Sequence, residues 1–456
     1  VRYVSTRGRA PELGFADVLL AGLASDGGLY VPSEWPVLAA AGAATTYAER
    51  AAEVMAPFVG PDIDRATLAR LCREAYASFR HEAVVPLVQV GHRHWVQELF
   101  HGPTLAFKDV ALQLVGRLFD HVLAQRGERV TIVGATSGDT GSAAIDGMRG
   151  CANVDIVILY PHGRTSDVQR RQMTTVDAPN VAAVAVEGTF DDCQDLVKAM
   201  FADEQFRQRR RLSAVNSINW ARVMAQVVYY VTAAEALRGP ITCCVPTGNF
   251  GNVLSGWIAR RMGAPIVDFV VASNTNDILT RFINDGDMTT RQVVPTLSPS
   301  MDIQVSSNFE RLLFEMNERD GGITAEQLGR FRATGRLEIE ADQRATWIDG
   351  TFRAARCDDD ATLVEIGRLY AATGMLVDPH TATATAAADA LGSDHPIVTL
   401  ATAHPAKFPD AVERATGVRP PLPAHLADLM ERPERTETVA NDLAAVEQLV
   451  ERRCTR

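Results

Sequence analysis

Apolar positions along this chain follow two rhythms. Over residues 1 to about 85 they recur every three or four residues, at 15–23, 47–58 and 66–79, which predicts amphipathic helices with a turn at Asp26-Gly-Gly28 after the first. Strand-like runs at 85–90 and 94–100, around Gly91 and His92, predict a hairpin. Beyond it, short β-rich runs at 130–134, 154–160, 181–186, 241–245, 266–272 and 397–401 alternate with helix-compatible segments. That alternation predicts parallel sheet with crossover helices, an α/β architecture, and the number of units predicts two sheets rather than one. Small-molecule sites in such folds lie at the carboxyl ends of strands. A proline-rich link at 419–423 precedes a predicted pair of C-terminal helices, the last with Val439, Leu443, Val446 and Val450 on one face.

Composition narrows the function classes. A chain of 456 residues has room for two or three domains with substantial cores. No apolar run reaches the roughly 20 residues that span a bilayer, and no charged-then-apolar segment opens the sequence, so no membrane role and a cytoplasmic location are expected. The net charge of −11 is spread along the chain, and the basic cluster at 207–211 lacks interleaved aromatics, which argues against nucleic acid. Seven scattered cysteines without a C-x-x-C pair suggest neither a disulfide framework nor a zinc site.

The lysines change the picture. Of 45 basic residues only three are lysine, Lys108, Lys198 and Lys407. Arginine cannot lose its proton to become an amine nucleophile, so a lysine kept in an arginine-rich chain marks a place to look for chemistry. Lys198 lies in a polar helix-like run and reads as a chance survivor of the compositional bias. Lys108 ends His101-Gly-Pro-Thr-Leu-Ala-Phe-Lys108, where a largely apolar helix begins. There the helix dipole and burial beside Phe107 both disfavour the ammonium and favour the nucleophilic amine. The competing reading is a snorkelling lysine paired with Asp109. An imine-forming lysine needs a carbonyl compound, and the chain offers two places to hold an anionic one.

After the strand at 241–245, Pro246-Thr-Gly-Asn-Phe-Gly-Asn252 opens a helix, and its glycines can turn successive backbone N–H groups toward one point, as a phosphate requires. It is neither a Walker loop nor a dinucleotide fingerprint, and the plain alternative is an ordinary strand-to-helix turn. After the strand at 130–133, Gly134-Ala-Thr-Ser-Gly-Asp-Thr-Gly-Ser142 brings hydroxyls and glycines to a helix start, suited to a small anion such as a carboxylate, or simply to a structural cap. Asp139 would repel an anion, so its side chain is expected to turn back and cap the helix. In Asn216-Ser-Ile-Asn-Trp-Ala-Arg222, Ser217 and Arg222 stand about one turn apart, and Arg222 suits either two phosphate oxygens or a surface salt bridge. Thr402, at the end of the last core strand, could donate to a ring nitrogen or satisfy a nearby carbonyl.

These segments together with Tyr3-Val-Ser-Thr-Arg-Gly8 and Asp26-Gly-Gly-Leu-Tyr-Val-Pro32 resemble the threonine synthase family, in its longer bacterial and fungal form. That family is a pyridoxal-phosphate group with the tryptophan synthase β-like fold, and the resemblance spans nearly the whole chain. It implies two parallel-sheet α/β domains plus a mainly helical N-terminal domain. The expected division is 1–93 for the helical part, 94–127 with 213–430 for the large cofactor-binding part, 128–212 for the small part and 431–456 for a C-terminal helix. Lys108 is implied to hold pyridoxal 5'-phosphate covalently, with the phosphate on Gly248, Asn249, Phe250, Gly251 and Asn252 and Thr402 facing the pyridine nitrogen. Thr136, Ser137, Asp139 and Thr140 are implied to bind the substrate carboxylate, and Ser217 and Arg222 its phosphate. No metal is implied. The implied reaction is γ-elimination of phosphate from O-phospho-L-homoserine and β-addition of water to give L-threonine. A monomer is favoured, a homodimer being the other possibility. A threonine or serine deaminase and a fold-retaining binding protein are the competing readings.

Overall fold

The N-terminal helices form where local signals predict them. In a computed structural model that describes residues 1–39, 42 and 44–454, Tyr47–Val59 starts at a capping box between Thr46 and Glu49, and Arg65–Tyr76 starts where the Asp64 carboxylate accepts from the Thr67 N–H. Their buried faces (Ala51, Met55 and Phe58; Leu68, Leu71 and Cys72) join one core with the helices Lys108–Arg126 and Trp220–Leu237. Trp220–Leu237 is apolar nearly all round because it lies inside, a pattern that marks a core helix, whereas Lys108–Arg126 keeps one polar stripe through Gln113, Arg117, Asp120 and His121. Tyr3–Ser5 and Tyr30–Pro32 add a short antiparallel ribbon.

Two main sheets carry most of the rest, with a second short ribbon pairing Met288–Thr289 and Arg336–Leu337. The large one has six strands in the order Phe352–Arg356, Ile266–Ser273, Ile241–Pro246, Ile397–Ala401, His94–Glu98 and Leu87–Gly91, all parallel except the last pair. The small one has five parallel strands, Thr436–Ala440, Val181–Glu187, Val154–Pro161, Val130–Ala135 and Leu212–Ser213. All of Val154–Pro161 is buried, as expected for a strand covered on both faces. The chain starts the large sheet, leaves it to build most of the small one, and returns at Ile241.

Two expectations need correction. Leu87–Gly91 belongs to the large sheet, which therefore begins before residue 94. The C-terminal stretch is a strand and a helix, Thr436–Ala440 and Leu443–Arg453, rather than two helices. Thr436–Ala440 is an edge strand with one exposed face, and Val439 is its one large apolar residue, so no period-two signal shows and Val439 looks helical when counted with Leu443. Phe352–Arg356 and Leu212–Ser213, an edge strand and a two-residue strand, escaped the sequence reading for the same reason.

Four loops leave the carboxyl ends of strands and converge. They follow Glu98, Ala135, Pro246 and Ala401 and contain all four of the lysine motif, the Thr136–Ser142 turn, the Gly248–Asn252 turn and Thr402.

Candidate active site

Lys108 is the first residue of its helix and is buried. The turn before it is set by Asp109, whose carboxylate accepts from the Thr104 N–H at 2.8 Å and the Thr104 hydroxyl at 2.6 Å. Glycine is required at 102, because a Cβ there would sit 2.4 Å from the Asp109 Cβ. The Phe107 N–H donates to the Thr402 carbonyl at 2.9 Å, which brings the threonine beside the lysine. Asp109 is therefore not the partner of Lys108. Its Nζ lies 3.2 Å from Asp139 Oδ2 and 3.4 Å from Ser300 Oγ, with the Phe107 ring 5.2 Å away. Burial lowers the Lys108 amine below the ordinary lysine value; Asp139 opposes that shift, and Lys407 and Arg222 add to it.

The turn after Ile241–Pro246 is crowded rather than left-handed at its glycines. A Cβ on Gly248 would approach the Ser300 carbonyl to 2.6 Å, and one on Gly251 would lie 3.1 Å from Asn308 Nδ2. The left-handed residue is Phe250, at φ 61°, immediately before the helix Gly251–Met262. Asn308 holds the turn from below: its N–H and its side-chain amide donate to the Asn249 carbonyl at 3.1 and 3.2 Å, and the amide also donates to the Ser217 carbonyl at 3.1 Å. Asn252 accepts from the Tyr229 and Tyr230 hydroxyls, while its own buried Nδ2 has no partner. Ser300 touches both sides of the site, its carbonyl against Gly248 and its hydroxyl against Lys108.

In the second loop the hydroxyls divide. Thr136 Oγ1 accepts from the N–H groups of Gly138 and Gly141 at 3.0 and 2.9 Å and so folds the loop, and Ser142 donates to the Asp139 carbonyl at 3.1 Å. Ser137 is exposed and Thr140 half-buried at the head of the helix Asp139–Met148. Asp139 does not cap that helix. Its carboxylate lies between Lys108 and Lys407, whose Nζ is 2.7 Å from Oδ1, and accepts from Gln169 at 2.8 Å. Burial works to raise this carboxyl, but the two ammoniums win and hold it well below the usual carboxylate range. Arg222 is buried and donates to the Val215 carbonyl at 3.4 Å; among the described residues its Nε has no partner and it faces no carboxylate, and desolvation lowers it to about 10. A buried guanidinium without an anion is costly, and one whose charge reaches Lys108 suits an incoming anion. Ser217 is half-buried near the Gly251 turn, its carbonyl 3.8 Å from where a Gly251 Cβ would lie.

Several neighbours were not picked out in the sequence. Gln169 and Ser300 carry no motif of their own. His380 accepts from the Ser300 N–H at 3.2 Å through Nε2 and meets Asp378 at 2.6 Å through Nδ1, so the imidazole is held with its proton toward the carboxylate. Asp378-Pro-His380 could have signalled a helix start, with Pro at its first position, but not contact with a loop far away in sequence. Arg311, fully buried, spends its donors on Asn308 and on the Tyr30 and Ile218 carbonyls, and burial lowers it to about 9. Lys198 is exposed and pairs with Asp195.

Comparison with known proteins fits this arrangement. Family models described as threonine synthase N terminus, pyridoxal-phosphate dependent enzyme, and threonine synthase, C-terminal match residues 2–76, 81–338 and 381–450. The threonine synthase of Pseudomonas aeruginosa is 54% identical over 99% of this chain and 98% of its own. The crystal structure of a pyridoxal-phosphate-bound threonine synthase from Brucella melitensis superposes with a TM-score of 0.97 at 52% identity, covering 100% of both chains. The yeast threonine synthase structure gives 0.93 at 37% identity, over 100% of this chain and 99% of its own. A fold of two parallel sheets, a buried lysine at a helix start and similarity along the full length lead to one conclusion: the chain belongs to the threonine synthase family of pyridoxal-phosphate dependent enzymes.

Proposed function

We propose that this chain converts O-phospho-L-homoserine and water to L-threonine and phosphate, with Lys108 binding pyridoxal phosphate covalently. The observation that carries the reading is the buried Arg222 guanidinium, without a carboxylate partner among the described residues, near enough to a buried lysine amine for its charge to lower that amine. The residues present fit the cofactor. The unpartnered Asn252 Nδ2 and the N–H groups of Gly248, Asn249, Phe250 and Gly251 at a helix start offer donors to its phosphate. Ser300 stands between that turn and Lys108, so one small molecule reaches both. Thr402 provides a neutral hydroxyl for the pyridine nitrogen.

Bound, pyridoxal phosphate supplies a conjugated electron sink for negative charge at the substrate's Cα and Cβ. The protein does the rest. Ser137, Thr140 and the N–H groups of the loop held by Thr136, Asp139 included, receive the substrate carboxylate. The Lys108 amine, lowered by burial, takes the protons from Cα and then from Cβ and returns two, one to Cγ once phosphate has left and one to Cα after water has added at Cβ. Ser217 and Arg222 hold the substrate phosphate and stabilise its charge as it leaves Cγ. Depth in the crevice keeps bulk water away until one water is needed at Cβ.

The test is direct. Purified protein is expected to be yellow, to bleach with borohydride, and to release phosphate and threonine in equal amounts from O-phospho-L-homoserine. Keto acid formed from threonine would indicate a deaminase instead. Lys108→Arg is expected to fold and lose turnover, and Arg222→Gln to raise KM for the phosphorylated substrate more than it lowers cofactor affinity. Because one chain supplies every residue of the site, we propose a working monomer, which sedimentation would distinguish from a homodimer. Free thiols at all seven cysteines agree with a cytoplasmic location, and no helix among the described residues is long and apolar enough to cross a membrane.

A further inference from the structure

We propose that Lys407 is a positioning residue that serves as the permanent countercharge of Asp139, leaving the Lys108 amine free to part from that carboxylate and bond the cofactor. The inference rests on the reading of Lys108 given above. Two of the chain's three lysines meet on one aspartate, and the three groups come from separate elements. Lys407 ends the short turn Pro405–Lys407 and is wholly buried; its Nζ is 2.7 Å from Asp139 Oδ1 and donates to the Thr104 carbonyl at 2.9 Å. Lys108 reaches the other oxygen at the longer distance of 3.2 Å. Gln169 donates to Oδ1 as well, so one side of the carboxylate is fully engaged whatever Lys108 does.

Loading requires the neutral amine: its nitrogen adds to the aldehyde carbon, a C=N bond forms, and the carbonyl oxygen leaves as water with the two amine protons. A buried carboxylate with no other cation would hold Lys108 as an ammonium. The charged groups facing Lys108 are Asp139 from the helix Asp139–Met148, Lys407 from its turn and Arg222 from the helix Trp220–Leu237. Asp109, on the lysine's own helix, is occupied by Thr104. Removing Lys407 deletes one of two cations and leaves the anion, so Lys108 keeps its proton to higher pH.

The test follows cofactor uptake by the full-length chain, stripped and then mixed with pyridoxal phosphate across pH 6 to 10, by visible absorbance and by mass after borohydride fixation. Lys407→Met is expected to slow loading at neutral pH by about tenfold or more and to move the pH midpoint upward by about one unit or more. Asp139→Asn combined with Lys407→Met is expected to return both to near the wild-type values, because no buried anion is left to be neutralised. A Lys407→Met chain that loads like wild type overturns the inference, and so does a double variant that loads no better than the single one, since a packing role is not rescued at Asp139. If Lys407→Met fails to fold, a folded, loading double variant supports the inference and an unfolded one refutes it. A wild-type chain that takes up no cofactor overturns the reading of Lys108 itself, an outcome distinct from the rest.

Discussion

At the scale of single residues, Asp109 makes the clearest statement about pH. Burial is the largest influence on it and raises it from 3.8 to about 7, against the hydrogen bonds from Thr104. The folded chain then holds a proton that the unfolded chain has released, so folding loses stability as pH rises from about 4 to about 7, and the loss persists above. Relative to Asp109→Asn, which stays neutral, the wild-type protein should lose up to roughly 4 kcal/mol between pH 4 and 8, read from urea melts at each pH. Gly248 makes a second prediction. Alanine there meets a backbone carbonyl, so Gly248→Ala should cost about 1–3 kcal/mol in the same melts and weaken cofactor uptake as the turn shifts.

Residues such as Lys108 and the Gly248–Asn252 turn were legible because their chemistry forces unusual types into one short stretch. Asp139 shows where that legibility ends. Its local setting suggested a helix cap, and two lysines distant in sequence captured it instead, at distances of 2.7 and 3.2 Å that only the fold creates. Ser300 and the Asp378–His380 pair were invisible for the same reason, since a serine before Met and a histidine near a helix start are common everywhere. Arg222 stood between the two cases: its motif was readable, its burial without a counterion was not.

At the scale of elements, the distance between Lys108 and Asp139 is set elsewhere, by two glycines. Gly116 lies on the lysine helix and Gly147 on the helix Asp139–Met148, and the two touch: a Cβ on Gly116 would fall 2.0 Å from the Gly147 carbonyl, and one on Gly147 2.5 Å from the Leu112 carbonyl. Each stands about two turns after the titratable residue it serves. Gly116→Ala must push the helices apart, and it is expected to cost about 3 kcal/mol or more and to slow cofactor loading. Gly329→Ala is the control, in an exposed helix with open space around it, and should stabilise by about 0.5–1 kcal/mol. The helices themselves were readable from their apolar period, but their closeness was not, because a glycine within a helical pattern says nothing about which neighbour approaches it.

At the scale of the whole molecule, the C-terminal segment ties the two sheets together. Leu422, Leu426 and Leu429 pack with Leu105 of the lysine motif and Val168 of the small sheet's crossover. Glu434 then pairs with Arg170 and accepts from Thr174 at 2.7 Å, Arg435 pairs with Asp177 at 2.7 Å, and Thr436–Ala440 joins the edge of the small sheet. Val446, Leu449 and Val450 of the closing helix complete that sheet's outer core. A chain ending at Arg432 should therefore lose hydrogen-exchange protection across 130–213 while 241–273 stays protected.

That edge strand also sets an order of events during translation. Four of the five small-sheet strands leave the ribosome before most of the large sheet exists, while the fifth and the helix that covers it come at the end. Domains fold as their parts emerge, so for most of its synthesis the small sheet waits with one flank bare, and the Asp139 helix has no settled neighbour in Lys407, which is translated almost as late. The pocket is thus finished only when the final stretch has docked, which delays competence for the aldehyde until nearly the whole polypeptide has been made.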